Sequence, residues 1–330
     1  MGEHVVVLSH AGAEPLSPAQ SACITEHARL EVVVRHATPD ASEAAHLLRH
    51  ATVVATTPSV APRLDDELLG RLPRLHSLVL HAGDAEHLAL GASARRRLTL
   101  TTLPDPASGA VAEHALGLLL SLATRSHLAN DRSRGRVDAS TSLQGVELCG
   151  STLGVLGVGR VGLHLARIAT GIGMRVVGAD PHPTARRTAE HVGIEMTSTD
   201  EVLHRARALA ICASAASPST PILDLAGLGA LQPGALLVNV GRPDLVDTDA
   251  VVAALRLRHL RGYAVDGTPF DRLEHADLMA EGRIVQTGHS ASWRDEVLAR
   301  GAEQLARAIV AAVRQDPAAR AEADGEEQVA

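Results

Sequence analysis

The sequence predicts an α/β fold with two doubly wound parallel sheets. Along nearly all of its 330 residues, short runs of β-branched and aliphatic residues alternate with helix-like segments. Such runs are typical of strands buried on both faces, and strands that alternate with helices form parallel sheets. Apolar residues make up 45% of the chain, which is enough to fill two cores.

The first hundred residues form one alternating block. We predict strands at residues 5–8, 32–34, 53–55, 78–80 and 98–100, and helices at residues 18–29, 41–49 and 65–70. Pro104-Asp105-Pro106 ends this pattern, because proline interrupts both helices and central strands. A long apolar helix is predicted next, at residues 110–127.

A second alternating block starts at Thr152. Its predicted strands are residues 153–157, 175–179, 209–212, 235–240, 263–266 and 284–286, and its predicted helices are residues 160–172, 224–230 and 248–257. Residues 293–314 are predicted to form a closing helix. We therefore predict a discontinuous first domain, residues 1–104 plus 291–330, and a second domain, residues 105–290, inserted into it.

Charge and cysteine content argue against several classes of partner. The chain has 31 basic and 38 acidic residues, a net charge of −7, and no dense basic patch, which argues against a nucleic-acid partner. Its longest apolar run, residues 115–123, is too short to cross a bilayer, and no secretory signal is visible. The three cysteines are too widely spaced for a disulfide framework or a zinc site. We expect a soluble, cytoplasmic protein without a metal site.

The chain contains no lysine, since all 31 of its basic residues are arginine. A protein without lysine cannot form a lysine Schiff base or place a P-loop lysine on a phosphate. Pyridoxal-phosphate enzymes, Schiff-base aldolases, P-loop NTPases and protein kinases are therefore excluded, together with dehydrogenases that use a catalytic lysine.

A dinucleotide-binding fingerprint lies in the middle of the chain, at Gly157-Val158-Gly159-Arg160-Val161-Gly162. A predicted buried strand precedes it and an apolar-periodic helix follows, which is the context that the motif requires. The glycines allow a tight turn, approach of the backbone to a pyrophosphate, and close packing of helix on strand. Asp180 follows the next predicted strand, where a carboxylate binds ribose hydroxyls and repels a 2′-phosphate. The predicted cofactor is NAD rather than NADP.

Several motifs, taken in order, resemble those of the D-isomer-specific 2-hydroxyacid dehydrogenase family. Residues 111–116, 147–154, 233–242 and 262–266 are similar to family motifs, and Thr287-Gly288-His289 stands where the family has Thr-Pro-His. The resemblance covers nearly the whole chain. It implies a Rossmann NAD domain inserted in a flavodoxin-like substrate domain, with hydride transfer in a cleft between them. It also implies a homodimer formed largely through the NAD domains.

In this family an arginine, an acidic residue and a histidine form the catalytic set, and the motifs place the arginine at Arg242 and the histidine at His289. A guanidinium fork can hold a substrate carboxylate and polarise the adjacent carbonyl. An imidazole can protonate the forming alkoxide, or accept the proton in the reverse direction. A neighbouring carboxylate would orient the imidazole and favour its protonated form.

The acidic residue departs from the family pattern. Counting from Asp266, the position of the family's glutamate is occupied by Asp271, whose side chain is one methylene shorter. Glu274 is the alternative, although its register is wrong. Pro243 after the arginine and Gly288 before the histidine are further departures, and Pro243 restricts Arg242 to extended backbone angles.

The resemblance also implies contacts with the cofactor and the substrate. The expected cofactor contacts are Gly157, Gly159, Arg160, Val161, Gly162, Asp180, Ser217, Val240 and Asp266. Gly83, in the run His81-Ala82-Gly83-Asp84, is expected to contact the substrate together with Arg242. The only aromatic residues are Tyr263, Phe270 and Trp293, and we predict that they fill the core under the closing helix rather than line the active site.

Three functions remain open from the sequence. The first is an NAD-dependent enzyme that interconverts a small-molecule 2-oxo acid and a D-2-hydroxy acid, with Arg242 on the carboxylate and His289 as general acid and base. The second oxidises another small oxyanion, in a phosphite-type reaction, because Arg242 would hold any such anion. The third is a catalytically silent NAD(H)-binding regulator, similar to a corepressor. The departures at Asp271, Pro243 and Gly288 favour it.

Overall fold

The computed structural model describes residues 2–10, 15–82, 90, 97–103, 106–213 and 220–314. The chain divides into two compact units, Met1–Pro106 with Asp295–Ala330, and Ala107–Arg294. Each unit contains one parallel sheet. The fold class predicted from the sequence is therefore confirmed.

The first unit has a five-stranded sheet in the order β2-β1-β3-β4-β5. Its strands are β1 His4–His10, β2 Arg29–Arg35, β3 Val53–Thr56, β4 Ser77–Leu80 and β5 Thr99–Thr102. Helices α1 Pro18–Thr25, α2 Ala41–Leu48 and α3 Asp66–Gly70 and a 3₁₀ turn at Pro58–Val60 lie between them. This is the flavodoxin-like strand order.

The C-terminal helix, Asp295–Arg314, belongs to this first unit. Its Leu305 and Ile309 share a core cluster with Val5 and Val7 of β1. Val6 belongs instead to the cluster on the other face of the sheet. Both faces are thus covered, which explains why β1 is an unbroken apolar run rather than an alternating one.

The second unit has a seven-stranded parallel sheet in the order β12-β11-β10-β9-β6-β7-β8. Its strands are β6 Thr152–Leu156, β7 Arg175–Ala179, β8 Glu195–Met196, β9 Ala208–Ile211, β10 Ala235–Asn239, β11 Leu260–Asp266 and β12 Ile284–Thr287. Its helices are α4 Ser108–Thr124, α5 Ser126–Ser133, α6 Arg160–Gly171, α7 Pro183–His191, α8 Thr199–Arg205, α9 Leu225–Ala230, α10 Thr248–Arg256 and α11 Ala276–Ala280. Counted from β6, this is the Rossmann order with one strand added at the edge.

The central strand β10 shows how the second core is filled. Leu237 belongs to the cluster on one face of the sheet, whereas Leu236 and Val238 belong to the cluster on the other face. Leu118 and Leu122 of α4 are buried in the second of these clusters. The long apolar helix therefore serves as a cover for this sheet.

The predicted helix at residues 110–127 is divided in the structure. α4 ends at Thr124 because Arg125 has a left-handed φ of 58°, and α5 begins at the next residue. Glycine or asparagine usually occupies such a position, so an arginine gives no sequence signal for the break. The short elements α7, β8, α8 and α11 were also absent from the sequence prediction.

The prediction for the three aromatic residues is right that Tyr263 and Phe270 fill a core, but it is wrong about which core and about Trp293. Tyr263 and Phe270 are buried in the second unit, where their rings meet edge to face with centroids 5.8 Å apart. Trp293 is 55% exposed. The physical reason is that Tyr263 lies on an inner strand of the larger sheet, whereas Trp293 precedes the first turn of the C-terminal helix.

Within the described ranges, no helix is long and apolar enough to cross a membrane. The same residues contain no group of three or more histidine, cysteine, aspartate or glutamate side chains that could hold a metal ion.

Candidate active site

The fingerprint loop lies between β6 and α6, where the strand order of the sheet reverses. β6 has β9 on one side and β7 on the other, and ligands of doubly wound sheets bind at this switch point, beyond the carboxyl ends of the strands. Gly159 is the N-cap of α6 and supplies no side-chain hydrogen bond to it. The first N–H groups of the helix are therefore without a side-chain cap, as a phosphate site requires.

Each fingerprint glycine has a different steric role. Gly157 has a φ of +89°, and a Cβ there would lie 2.5 Å from the backbone nitrogen of Ala213. A Cβ on Gly162 would lie 2.2 Å from the carbonyl oxygen of Gly157, so its absence lets α6 pack against the loop. A Cβ on Gly159 would meet no atom within 4 Å. Gly159 thus borders open space, into which a pyrophosphate can come close to the backbone.

Asp180 connects the fingerprint loop to the loop after β7. Its Oδ2 accepts a hydrogen bond from the Val158 N–H at 2.9 Å, and its Oδ1 accepts one from the His182 N–H at 2.8 Å. A carboxylate has about four acceptor sites, so both oxygens retain capacity for the two hydroxyls of a ribose. The residues of this region fit NAD.

Of the remaining cofactor candidates, Asp266 ends β11 and is described below together with His289. Val161 and Val240 are half-buried and pack against the core of the second unit. The Arg160 side chain is exposed at the start of α6. Ser217, a cofactor candidate, and Gly83, a substrate candidate, lie outside the described residues.

Asn239, the last residue of β10, shapes the loop that carries Arg242. Its side chain is fully buried, and its Oδ1 accepts a hydrogen bond from the Gly241 N–H at 2.9 Å. Its Nδ2 donates to the Arg242 carbonyl at 2.9 Å and lies 3.3 Å from the Tyr263 hydroxyl. The loop is therefore held from within the sheet.

Arg242 is exposed and forms a two-pronged ion pair with Asp244. Nε lies 3.0 Å from Oδ1 and Nη2 lies 2.5 Å from Oδ2. The guanidinium holds the pKa of Asp244 below its usual value, and the carboxylate raises the pKa of Arg242. Arg242 has the extended backbone expected before proline, with φ −75° and ψ 141°.

Asp266 anchors the loop that carries His289. Its side chain is nearly buried, and its Oδ1 accepts hydrogen bonds from the Thr287 hydroxyl at 2.8 Å and the Ser290 N–H at 2.9 Å. Its Oδ2 accepts one from the Ala291 N–H at 3.1 Å. Asp266 thereby fixes the chain on both sides of His289.

His114, on α4, is connected to Asp266 through the Thr287 hydroxyl. Its Nε2 lies 3.0 Å from the Thr287 hydroxyl and 3.7 Å from Asp266 Oδ1, and Arg294 donates to its Nδ1 at 3.2 Å. Since a guanidinium only donates, Nδ1 is the acceptor and Nε2 carries the proton. Donation then runs from Arg294 through His114 and Thr287 to Asp266. Burial lowers the pKa of His114, Asp266 opposes this shift and Arg294 adds to it.

His289 and the Arg242 loop meet at Gly267. A Cβ on this glycine would lie 2.7 Å from Pro243 Cγ and 3.7 Å from Cε1 and Nε2 of the His289 ring. His289 itself is exposed and has a left-handed φ of 53°, a conformation typical of functional sites. The structure therefore brings together the loops that carry the predicted arginine and histidine.

The Asp271 carboxylate is hydrogen-bonded to backbone N–H groups of the residues that follow it. Its Oδ1 accepts hydrogen bonds from the Leu273 N–H at 2.8 Å and the Glu274 N–H at 3.0 Å, and these bonds lower its pKa. Within the described contacts, its carboxylate has no hydrogen bond to His289. The Glu274 side chain is exposed and, in the same set of contacts, is not hydrogen-bonded to His289 either.

Sequence reasoning missed the residues that hold the two loops, namely Asn239, Thr287, His114 and Arg294. Asn239 did carry a signal, because a single amide at the end of an apolar strand must be hydrogen-bonded once buried. Thr287 and His114 lie in motifs that were recognised, but their partners are distant in sequence. No pattern pointed to Arg294.

The fold and site define the class of a Rossmann-type dinucleotide-binding protein. Residues 116–291 match the NAD binding domain of the D-isomer specific 2-hydroxyacid dehydrogenases. A 2-hydroxyacid dehydrogenase homolog from Zymomonas mobilis is 30% identical over 247 residues, which cover 70% of this chain and 74% of that one. The chain belongs to the D-isomer specific 2-hydroxyacid dehydrogenase family, a family of NAD-dependent dehydrogenases, and its cofactor is NAD.

Other known proteins are also similar to most of this chain. A D-3-phosphoglycerate dehydrogenase from Mycobacterium leprae is 29% identical over 250 residues, which cover 76% of this chain but 47% of that one. The chain thus spans about half the length of this relative. The TT0316 protein from Thermus thermophilus has a TM-score of 0.79 and 27% identity, with 95% of this chain and 98% of that one covered.

Proposed function

We propose that the protein is an NAD-dependent oxidoreductase that interconverts a 2-oxo acid and a D-2-hydroxy acid. The observation that carries the proposal is the meeting of the Arg242–Pro243 loop and the His289 ring at Gly267. The Arg242 guanidinium can bind a carboxylate, and the His289 imidazole can transfer a proton. Both residues follow the carboxyl ends of strands, at the same edge of the sheet as the fingerprint loop.

In this proposal Arg242 holds the substrate carboxylate and polarises the adjacent carbonyl. Arg242 donates to Asp244 through Nε and Nη2, and in this proposal the substrate carboxylate takes the place of Asp244 on that edge of the guanidinium. Both side chains of this pair are about half exposed, and exposed ion pairs contribute little net free energy. The exchange therefore opposes substrate binding only weakly.

His289 moves the proton. NAD, when bound, supplies hydride donation and acceptance at its nicotinamide ring. The imidazole donates a proton to the alkoxide oxygen formed when the 2-oxo acid is reduced, and accepts it in the reverse direction. Asp266 keeps the His289 loop in place through its bonds to Thr287, Ser290 and Ala291.

Asp271 is the proposed acidic partner of His289 by its place after Asp266 in the chain. To reach the imidazole of His289, its carboxylate would break its hydrogen bonds with the N–H groups of Leu273 and Glu274 and form one with the ring instead. Asp271→Asn tests the role through the pH profile of kcat, since loss of a charged partner shifts the histidine limb to lower pH. An unshifted profile would remove Asp271 from the catalytic set.

The first test of the function is a fluorescence titration with NADH, followed by a panel of 2-oxo acids that includes phosphorylated ones. We expect NADH to bind and then to be consumed when the right acid is added. His289→Ala should bind NADH normally and consume it at least a hundredfold more slowly, because general acid–base catalysis contributes about 10²–10⁴-fold. Binding without consumption of any acid would refute the proposed activity.

A silent NAD(H)-binding regulator is the second candidate. The Arg242–Asp244 pair and the turn that holds Asp271 favour it, since both groups are committed to partners within the protein. Tight NADH binding, no turnover, and a protein partner whose affinity changes with NADH would establish this function. Phosphite-dependent formation of NADH would instead establish oxidation of a small oxyanion held by Arg242.

We further propose that the protein acts in the cytoplasm as a homodimer formed through its NAD-binding domain. Support comes from the family alone, so the assembly requires its own measurement. Sedimentation equilibrium should give twice the chain mass of 34.4 kDa. A single species at the chain mass would refute the dimer.

A further inference from the structure

Four arginines line a cavity of about 350 Å³ in the NAD-binding domain. Arg125 directly follows α4, and Arg283 immediately precedes β12. Arg258 lies two residues before β11, and Arg261 is the second residue of that strand. All strands of this sheet run in one direction, so the cavity lies at the edge where strands begin. The fingerprint and His289 lie at the opposite edge, where strands end. We call these four residues the arginine cluster.

Positive charge in the arginine cluster is not balanced. Among the described residues that line the cavity, Glu281 is the one carboxylate, and it pairs with Arg283 at 2.7 Å. Arg125 donates to the Glu281 carbonyl at 2.6 Å, and Arg261 donates to the Gln144 carbonyl. Backbone carbonyls accept hydrogen bonds but carry no net charge, so they leave the excess positive charge in place.

Two donors in the arginine cluster lack an acceptor. Nε of Arg125 and Nε of Arg261 are buried and have no hydrogen-bond partner within the described part of the chain. A buried donor without a partner is unfavourable, and most buried polar groups in proteins are satisfied. The charge of these two guanidiniums is therefore only partly compensated by hydrogen bonds within the described residues.

Two further features distinguish the arginine cluster. Burial lowers the pKa of Arg125 and of Arg261, and repulsion from Arg283 and other neighbouring arginines lowers them further. Arg125 and Arg258 have left-handed φ values of 58° and 59°, which only one other described non-glycine residue shares. Backbone strain of this kind persists where the surrounding structure enforces it and is concentrated at functional sites.

From the unbalanced charge, the open cavity and the unpartnered donors, we propose that the arginine cluster binds a multivalent oxyanion such as phosphate. Guanidinium forks match the oxygens of a phosphate group in pairs. An oxyanion in the cavity would neutralise the excess positive charge and the repulsion between the guanidiniums. The site is separate from the NAD and 2-oxo acid sites, and does not depend on the proposed activity.

The test is calorimetric titration with inorganic phosphate at constant ionic strength. NADH is kept saturating so that the pyrophosphate-binding loop is occupied. We expect phosphate to bind, and Arg261→Gln to weaken its binding at least tenfold, since charge-assisted bidentate hydrogen bonds are among the strongest in proteins. Arg175→Gln is the matched control, because Arg175 is an exposed arginine at the start of β7, on the same edge of the sheet.

A second variant, Arg258→Asn, tests the proposal if Arg261→Gln does not fold. Arg258 is exposed and has a left-handed backbone, which asparagine tolerates well. Arg258→Asn should therefore fold, and should weaken phosphate binding about threefold through loss of one charge. The thermal midpoint of the wild type should rise in phosphate, and that of both variants should rise less.

Two results would overturn the proposal. Equal phosphate affinity in the wild type, Arg261→Gln and Arg258→Asn would place the anion elsewhere. A dimer that dissociates in both variants, without phosphate binding by the wild type, would show that carboxylates of a second copy are the partners of the arginine cluster.

Discussion

Individual hydrogen bonds determine which side chains of the site are available for a substrate or for each other. Asp244 takes up two nitrogens of Arg242, and Asp271 is held by two backbone N–H groups. Neither arrangement is visible in the sequence, because each depends on side-chain geometry within a loop. The sequence motifs did predict that Arg242 and His289 belong to one site, and the structure joins their loops at Gly267.

The fingerprint glycines give a paired test of steric role. Gly162→Ala would place a methyl group 2.2 Å from the Gly157 carbonyl, so we expect it to lower the free energy of unfolding by about 1–3 kcal/mol and to abolish NADH binding. Gly159→Ala adds a methyl group to open space, so its thermal midpoint should stay close to that of the wild type while NADH affinity falls. Melting curves and NADH fluorescence measure both. Equal stability of the two variants would contradict the assigned roles.

Removal of the Asp244 charge should favour acidic substrates. In Asp244→Asn the guanidinium loses its intramolecular carboxylate partner, and we expect KM for the 2-oxo acid to fall severalfold. Stability should change by less than about 0.5 kcal/mol, because the pair is exposed. The control is Asp249→Asn, which removes an exposed charge from the first turn of α10. An unchanged or higher KM in Asp244→Asn would show that Asp244 does not compete with the substrate.

The loops of the site are held by side chains at the ends of strands. Asn239 at the end of β10 and Asp266 at the end of β11 bond to backbone atoms of the loops that follow β10 and β12. β10 was predictable because it is an aliphatic run of the right length, whereas only the last four residues of β11 were predicted. The break in the helix at Arg125 was not predictable, since an arginine rather than a glycine has the left-handed backbone there.

His114 should make stability depend on pH. Its pKa in the folded protein is lowered from 6.5, chiefly by burial, so the unfolded chain binds the proton more readily. The stabilisation is full above about pH 6.5 and is lost as the pH falls below it. The unfolding free energy of the wild type should therefore decline more steeply toward pH 5 than that of His114→Gln. His164→Gln, at an exposed position on α6, is the control and should decline like the wild type.

Two parallel sheets with different strand orders share one chain. The alternation of strands and helices predicted both, and the fingerprint in mid-chain predicted which sheet binds the dinucleotide. Which core Tyr263 fills was not predictable, because its burial depends on the position of β11 within its sheet.

The single tryptophan can report on the unit that binds NADH. Trp293 belongs to the unit Ala107–Arg294, so its emission should follow the unfolding of that unit. NADH at a hundred times its Kd adds about 2.7 kcal/mol of stability, and the midpoint seen by tryptophan emission should rise by about 5 °C or more. The Gly159→Ala variant at the same NADH concentration should rise less. An equal rise in both proteins would show that NADH binds away from the fingerprint.

Gly267 has a consequence for how the protein can evolve. Any side chain at this position would collide with Pro243 and lie in contact with the His289 ring, so the loops that follow β10 and β12 share one neighbour. Descendants of this sequence that enlarge residue 267 should also have replaced Pro243. Changes in substrate preference should accumulate at positions that leave this shared contact untouched.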